Sequence, residues 1–250
     1  MYVEFSKNLL YLHKYFNMAT SLYHSDTTRI SKSGLDLIRR APRVFKHQRI
    51  DGHGSEDTKS TDFGSAAHCY ILENDAFAER YQIGREHGNK IPLKQDEYDR
   101  LVGMKRALKQ HPIASRLLFD GTTEVVHFWT DPITGVECKM CADYLPARFP
   151  NMIVDYKTAK DASAGAFRAA MRRYRYHVQN AFYLDGCASR SEFVFIVQET
   201  EPPFLIGVYA LPAEDIERGR VEYLEDLVTY AECRRTDTWP DYNGNLVQML

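Results

Sequence analysis

The stretch from residue 123 to residue 158 most constrains what this chain can fold into, because three strand-like segments follow one another there with only short turns between. Residues 123–130 (Thr-Glu-Val-Val-His-Phe-Trp-Thr) are rich in β-branched and aromatic side chains. Asp131-Pro132-Ile133-Thr134-Gly135 has the composition of a turn. Residues 136–145 read as a second strand, so 123–145 is predicted to be a hairpin, and a turn at 148–151 leads into a third strand over 152–158. Downstream come a long helical pattern over 161–190, two strands at 192–199 and 204–211 around Pro202-Pro203, and an amphipathic, acid-rich helix over 213–234 whose acids are expected to face outward. Upstream, 94–110 is an amphipathic helix, 75–92 reads as irregular, and 31–47 reads as a helix, a break and a second short helix. Helices, three strands, a crossover helix, two strands and a helix predict an α/β fold with a central mixed β-sheet flanked by helices.

The third strand carries an acid and a lysine two residues apart. Side chains alternate along a strand, so Asp155 and Lys157 share a face with Ile153, while Val154 and Tyr156 point the other way. By itself a D-x-K triplet is usually a surface ion pair. On the second strand Glu137, Lys139, Cys141 and Asp143 share one face. His68 sits in a small-residue helix, Phe63-Gly64-Ser65-Ala66-Ala67-His68, where a lone histidine is more often a satisfied core residue than a ligand. On the long helix Tyr176, Gln179 and Tyr183 fall on one stripe with Arg172 a turn earlier, inside a basic cluster of Arg168, Arg172, Arg173 and Arg175. Jointly, two carboxylates on adjacent strands and an imidazole suit an oxygen-rich divalent-metal site that favours Mg²⁺, with Mn²⁺ as the alternative. Lys157 beside the metal could orient an attacking water and help deprotonate it. That equipment suits phosphodiester hydrolysis.

Composition sets the outer limits. The 250 residues carry a net charge of −2, so any nucleic-acid contact must come from local patches. One such patch runs over 29–49, where seven Lys/Arg face the single acid Asp36, and Ser31 or Ser33 can cap the helix that follows. Five cysteines, an odd number without a secretory leader, argue against a disulfide framework, and no segment is apolar enough for a membrane span, so a cytoplasmic protein is expected. Residues 1–28 show no periodicity and are left as an N-terminal arm or a peripheral helix; 48–61 reads as a mobile loop.

Asp143 followed by Asp155-x-Lys157 resembles the PD-(D/E)xK nuclease motif, and His68 with Gln179-x-x-x-Tyr183 resembles its RecB-type branch. Ser-Lys-Ser-Gly-Leu with a downstream Ala-Pro, Phe-Gly-Ser-Ala-Ala-His, Cys-Lys-Met-Cys-Ala-Asp-Tyr-Leu, Val-Asp-Tyr-Lys-Thr and Tyr-His-Val-Gln-Asn-Ala-Phe-Tyr are similar, in order, to the RecE / exonuclease VIII nuclease domain. The likeness covers about residues 29 to 200, and 29–250 is taken as one nuclease domain with a PD-(D/E)xK restriction-endonuclease-like core.

The resemblance implies roles. His68, Asp143, Asp155 and the backbone carbonyl of Tyr156 would ligate the metal. Lys157 would position the water, and Gln179 and Tyr183 would brace the site or touch the scissile strand. Ser31, Ser33, Arg39 and Arg172 are candidates for contacting DNA, and Glu124 and Glu137 for supporting the ligands. The family degrades linear double-stranded DNA from a 5′ end. It forms homo-oligomeric rings and passes single strand to an annealing protein of the RecT type. One departure from the family is that the chain is compact and lacks the long N-terminal extension of the bacterial exonuclease VIII; a phage or prophage recombination nuclease would fit. The competing readings are an endonuclease, a catalytically inactive DNA-binding protein on the same fold, and an iron–sulfur nuclease suggested by Cys138-x-x-Cys141.

Overall fold

The structure is a computed structural model that describes Tyr23, Ser25 and residues 26–54, 63–85 and 88–242. Most of the expected N-terminal arm, and the second half of the loop expected over 48–61, lie outside the described residues. In chain order the elements are α1 (Lys32–Arg40), α2 (Pro42–Phe45) running into a π-helical turn (Lys46–Ile50), α3 (Phe63–Leu72), α4 (Asn74–Arg80), β1 (Tyr81–Ile83), β2 (Ile91–Leu93), α5 (Gln95–Gln110) and α6 (Ala114–Leu117). Then follow β3 (Gly121–Thr130), β4 (Glu137–Pro146), β5 (Met152–Ala159), α7 (Ala164–Arg173), α8 (Tyr176–Gly186), β6 (Glu192–Glu199), β7 (Ile206–Ala210) and α9 (Ala213–Thr236). Among the described residues no helix is long and apolar enough to cross a membrane.

The sheet expected from the three consecutive strands is present, with five strands in the order β3-β4-β5-β6-β7. β3 and β4 form the antiparallel hairpin, closed where Asp131 Oδ1 accepts from the Thr134 amide at 2.7 Å and Gly135 takes φ +70°, a conformation glycine adopts without a Cβ penalty. β4 and β5 pair antiparallel, whereas β5 and β6 pair parallel, which requires a crossover that α7 and α8 supply. Alternation along β5 divides the core. Ile153 packs with Leu35, Phe182, Phe195 and Leu227 under α1, α8 and α9, while Val154 and Tyr156 pack with Ala66, Leu101 and Met104 under α3 and α5.

Three expectations are corrected. The single helix over 161–190 is two, α7 and α8, broken at Tyr174-Arg175. Arg175 takes φ +54°, unusual for a non-glycine residue, and is held there by Asp36 (3.0 Å), Glu222 (3.2 Å) and Asp226 (2.6 Å). The stripe from Arg172 to Gln179 therefore does not continue across the break. The region 75–92 is not irregular: α4 leads into β1, which pairs parallel with β2. The acids of α9 do not all face water, since Asp226 is 2% exposed and binds Arg175 and Arg39.

α9 lies very close to α8. A Cβ on Gly219 would sit 2.2 Å from the carbonyl oxygen of His177, so only glycine permits this approach. The contact seats α8, and with it the side chains that α8 sends toward β5.

Candidate active site

β4 and β5 pair at Tyr144↔Val154, one residue away from Asp143 and Asp155. Beside that pair the Tyr156 amide donates to Asp143 Oδ2 at 2.9 Å, a side chain standing in for a strand acceptor. The small residues Ala66 and Ala67, both fully buried, let α3 lie against the sheet, which brings His68 Nε2 within 3.1 Å of the same Asp143 oxygen. His68 Nδ1 is 3.7 Å from Glu124 Oε1 on β3. Glu124 holds φ +50°, a strained backbone for an L side chain other than Asn or Asp, and strain of this kind gathers at functional sites. Just past the end of α3, Glu73 completes a group: ligand atoms of His68, Glu73 and Glu124 all lie within 4.8 Å of one another.

Asp155 is 1% exposed. Its Oδ1 accepts from Gln179 Nε2 at 2.6 Å, and its Oδ2 is 2.7 Å from Lys157 Nζ. The Oδ2 contact is an ion pair rather than an aligned hydrogen bond, so this buried oxygen keeps lone-pair capacity. Lys157 also lies over the Tyr176 ring, 5.2 Å from its centre. Tyr183 donates to the Cys141 carbonyl at 3.3 Å and so ties α8 to β4.

The charges are strongly interdependent. Burial and the neighbouring Asp143 push the Asp155 carboxyl up to about 6, against the opposing pull of Lys157 and Gln179. Burial would raise Asp143 too, but His68 and Lys157 hold it below its ordinary value. Burial opposes charge on His68, yet Asp143 and Glu124 raise it to about 9. Burial raises Glu124 to about 7. Lys157 is held above its ordinary value because Asp155 and Asp143 outweigh burial.

The residues fit a divalent cation. The donor set is a histidine with several carboxylates, and Asp155 Oδ2 is a buried oxygen with unused acceptor capacity. His68, Asp143 and Asp155 could hold the ion, with Glu124 and Glu73 within reach of the same imidazole. A cleft of about 600 Å³ opens onto this group, walled also by Arg80, Tyr156 and Tyr176. A second cleft of about 590 Å³ shares Lys157 and Tyr176 with the first and is lined by Ser33, Arg39, Arg40 and Arg173.

The weaker sequence candidates separate. Ser31 is spent as the N-cap of α1, accepting from the Gly34 amide at 3.4 Å, whereas Ser33 lines the second cleft. Arg39 also lines it but is bound to Asp226 at 2.7 Å and Glu225 at 2.9 Å. Arg172 is exposed on α7 and lines neither of these clefts. Glu137 pairs with Thr130 and Arg29, away from His68. Cys138 is a core residue and Cys141 donates to Glu124, so the two do not converge as cluster ligands. Glu73 and Arg80, 3.3 Å apart, were not anticipated; a glutamate at a helix end and an arginine on a short polar helix carry no signal of their own.

Comparison with known proteins bears on the fold and the family. No curated protein matches the chain. A candidate exonuclease from Eubacterium rectale has a solved structure that superimposes with a TM-score of 0.66 over 91% of each chain at 12% sequence identity, a likeness of fold. The solved structure of a protein designated SSO0001 gives a TM-score of 0.40 at 13% identity, over 88% of this chain and 86% of that one. Residues 31–248 match the PDDEXK-like domain of unknown function DUF3799, which spans the sheet, His68 and the Asp143–Asp155–Lys157 group, and the chain belongs to that PDDEXK-like family.

Proposed function

We propose that the protein is a divalent-metal-dependent deoxyribonuclease that hydrolyses phosphodiester bonds at the ends of linear double-stranded DNA. The observation that carries this reading is the convergence of His68, Asp143 and Asp155 from α3, β4 and β5, with Lys157 2.7 Å from Asp155. A cation held there supplies an activated water and neutralises charge on the phosphate. The chain's own groups do the rest. Lys157, kept protonated by two carboxylates, donates toward a water or a phosphate oxygen. Gln179 fixes the orientation of Asp155, and Tyr183 fixes the spacing of α8 from β4. Arg80, on the wall of the same cleft, is paired with Glu73 at 3.3 Å and would reach a phosphate only by giving up that partner.

The donor set supports Mg²⁺, with Mn²⁺ as a substitute. The motif resemblance supports an exonuclease of 5′-to-3′ polarity, a ring-shaped homo-oligomer and a RecT-type annealing partner in recombination. The test is digestion of linear duplexes labelled at the 5′ or the 3′ end, beside closed circles, with and without Mg²⁺. Metal-dependent loss of the 5′ label from linear DNA alone supports the proposal. Cutting of closed circles would make the protein an endonuclease, and binding without cleavage would make it a DNA-binding protein on a nuclease fold.

A further inference from the structure

The second cleft contains an aromatic side chain, Tyr174, that the fold leaves half-exposed. Tyr176 is half-buried and stacked on Phe195 (centres 5.7 Å apart, planes 29° apart) and Phe167 (6.2 Å, 24°), so the core holds it. Tyr174 continues the stack outward at 5.7 Å and 29°, and is 49% exposed in the cleft. Its backbone is pinned at the α7–α8 break: its amide donates to the Ala170 carbonyl at 2.8 Å, and its own carbonyl accepts from Lys32 Nζ at 2.6 Å. The ring is thus preorganised at the outer end of a packed aromatic column, and its position costs little further ordering on binding.

The cations around it divide into two kinds. Lys32 is paired with Asp36, and Arg39 and Arg175 share the buried Asp226. Arg40 and Arg173 are exposed and make no ion pair among the described residues. The Arg173 guanidinium rests 5.4 Å from the centre of the Tyr174 ring, a weak contact at an exposed site that a base can replace while the guanidinium turns to a phosphate. Arg40 donates from Nε to the Tyr242 hydroxyl at 3.1 Å and is held by no carboxylate among the described residues. A half-exposed ring flanked by arginines without a carboxylate partner is a combination that holds single-stranded nucleic acid. A base inside a duplex has both faces covered and the outermost pair exposes only one, whereas an unpaired base can lie on this ring while its phosphate turns to an arginine. Because Lys157 and Tyr176 belong to both clefts, a strand crossing the carboxylate group runs directly into the second.

We propose that the second cleft binds an unpaired nucleotide of a DNA strand, its base stacked on Tyr174 and its phosphate met by Arg173 or Arg40. The inference rests on the nuclease reading of the neighbouring carboxylate site, and it makes that enzyme's substrate a frayed or single-stranded end rather than a fully paired one. The experiment uses the full chain in EDTA, where hydrolysis is not needed, with short single strands and blunt duplexes carrying 2-aminopurine as the terminal base. Wild-type protein and Tyr174→Phe should quench the fluorophore of the single strand. Tyr174→Ala should lose the quench and bind the single strand about ten-fold more weakly. Equal quenching by the alanine variant, or none by the wild type, overturns the inference. DNA that is bound and quenched in EDTA but not hydrolysed when Mg²⁺ is supplied overturns the nuclease reading instead, leaving the stacking site in place.

Discussion

Replacing Gln179 with leucine, which keeps most of the volume but removes the donor to Asp155, should destabilise the metal-free protein by an amount that grows with pH. The lost contact is a 2.6 Å hydrogen bond to a buried carboxylate, and bonds to charged groups contribute about 1.5–3 kcal/mol. Asp155 has an alternative to remaining charged without its donor, because burial and Asp143 already place its titration at about 6. Taking up a proton costs little near pH 6 and roughly 1 kcal/mol more for each pH unit above it. The smaller of the two penalties applies at each pH, so the loss should be small at pH 6 and approach about 1.5–3 kcal/mol at pH 8. The sign follows from linkage. A carboxyl raised above its unfolded value of 3.8 binds more protons folded than unfolded, so its contribution falls as pH rises through the folded titration point. The variant raises that point further and prolongs the fall. Urea unfolding of both proteins in EDTA at pH 6, 7 and 8 measures this directly. A difference that is the same at all three values, or absent, refutes the description of Asp155 as a buried acid held ionised by Gln179.

Other consequences follow from the same geometry. Gly219→Ala should cost about 1–3 kcal/mol in urea unfolding, because its Cβ would strike the His177 carbonyl and push α9 away from α8. Glu124→Gly should be more stable than Glu124→Ala by about 1 kcal/mol, since glycine relieves the φ of +50°, while both should weaken Mn²⁺ binding in calorimetry. Metal affinity should rise with pH from 6 to 9, with protons released on binding, because Asp155, Glu124 and His68 must give up protons that they hold to about 6, 7 and 9. A flat calorimetric profile over that range would contradict the assignment of these groups as ligands.

Much of the site was legible because its parts sit in elements with strong local signals. The β3–β4 turn carries Asp131, Pro132 and Gly135 within five residues, and a strand sends every second side chain to one face, so Asp155 and Lys157 could be placed together. The small-residue run before His68 pointed to a closely packed helix, and the structure lays it against the sheet. The break at Arg175 was not legible: no glycine or proline marks it, and the conformation is imposed by three carboxylates distant in sequence. The same network explains why Arg39 could be mistaken for an uncommitted DNA contact, since its partners Glu225 and Asp226 lie on a helix that read as solvent-facing. Glu73 joins His68 only through the turn at the end of α3, and β1 and β2 are three residues each, too short for periodicity to reveal. Local chemistry, in short, was readable where one element sufficed, and unreadable where two distant elements decide a side chain's partner.

The most direct test of the metal-and-lysine site is release of nucleotides from linear duplex DNA in Mg²⁺ by the wild type, Asp155→Ala and Lys157→Ala, with Mn²⁺ binding measured in parallel. The expected result is Mg²⁺-dependent release by the wild type and a loss of at least about 100-fold in each variant, with Mn²⁺ binding weakened in Asp155→Ala. Undiminished release by both variants would contradict it.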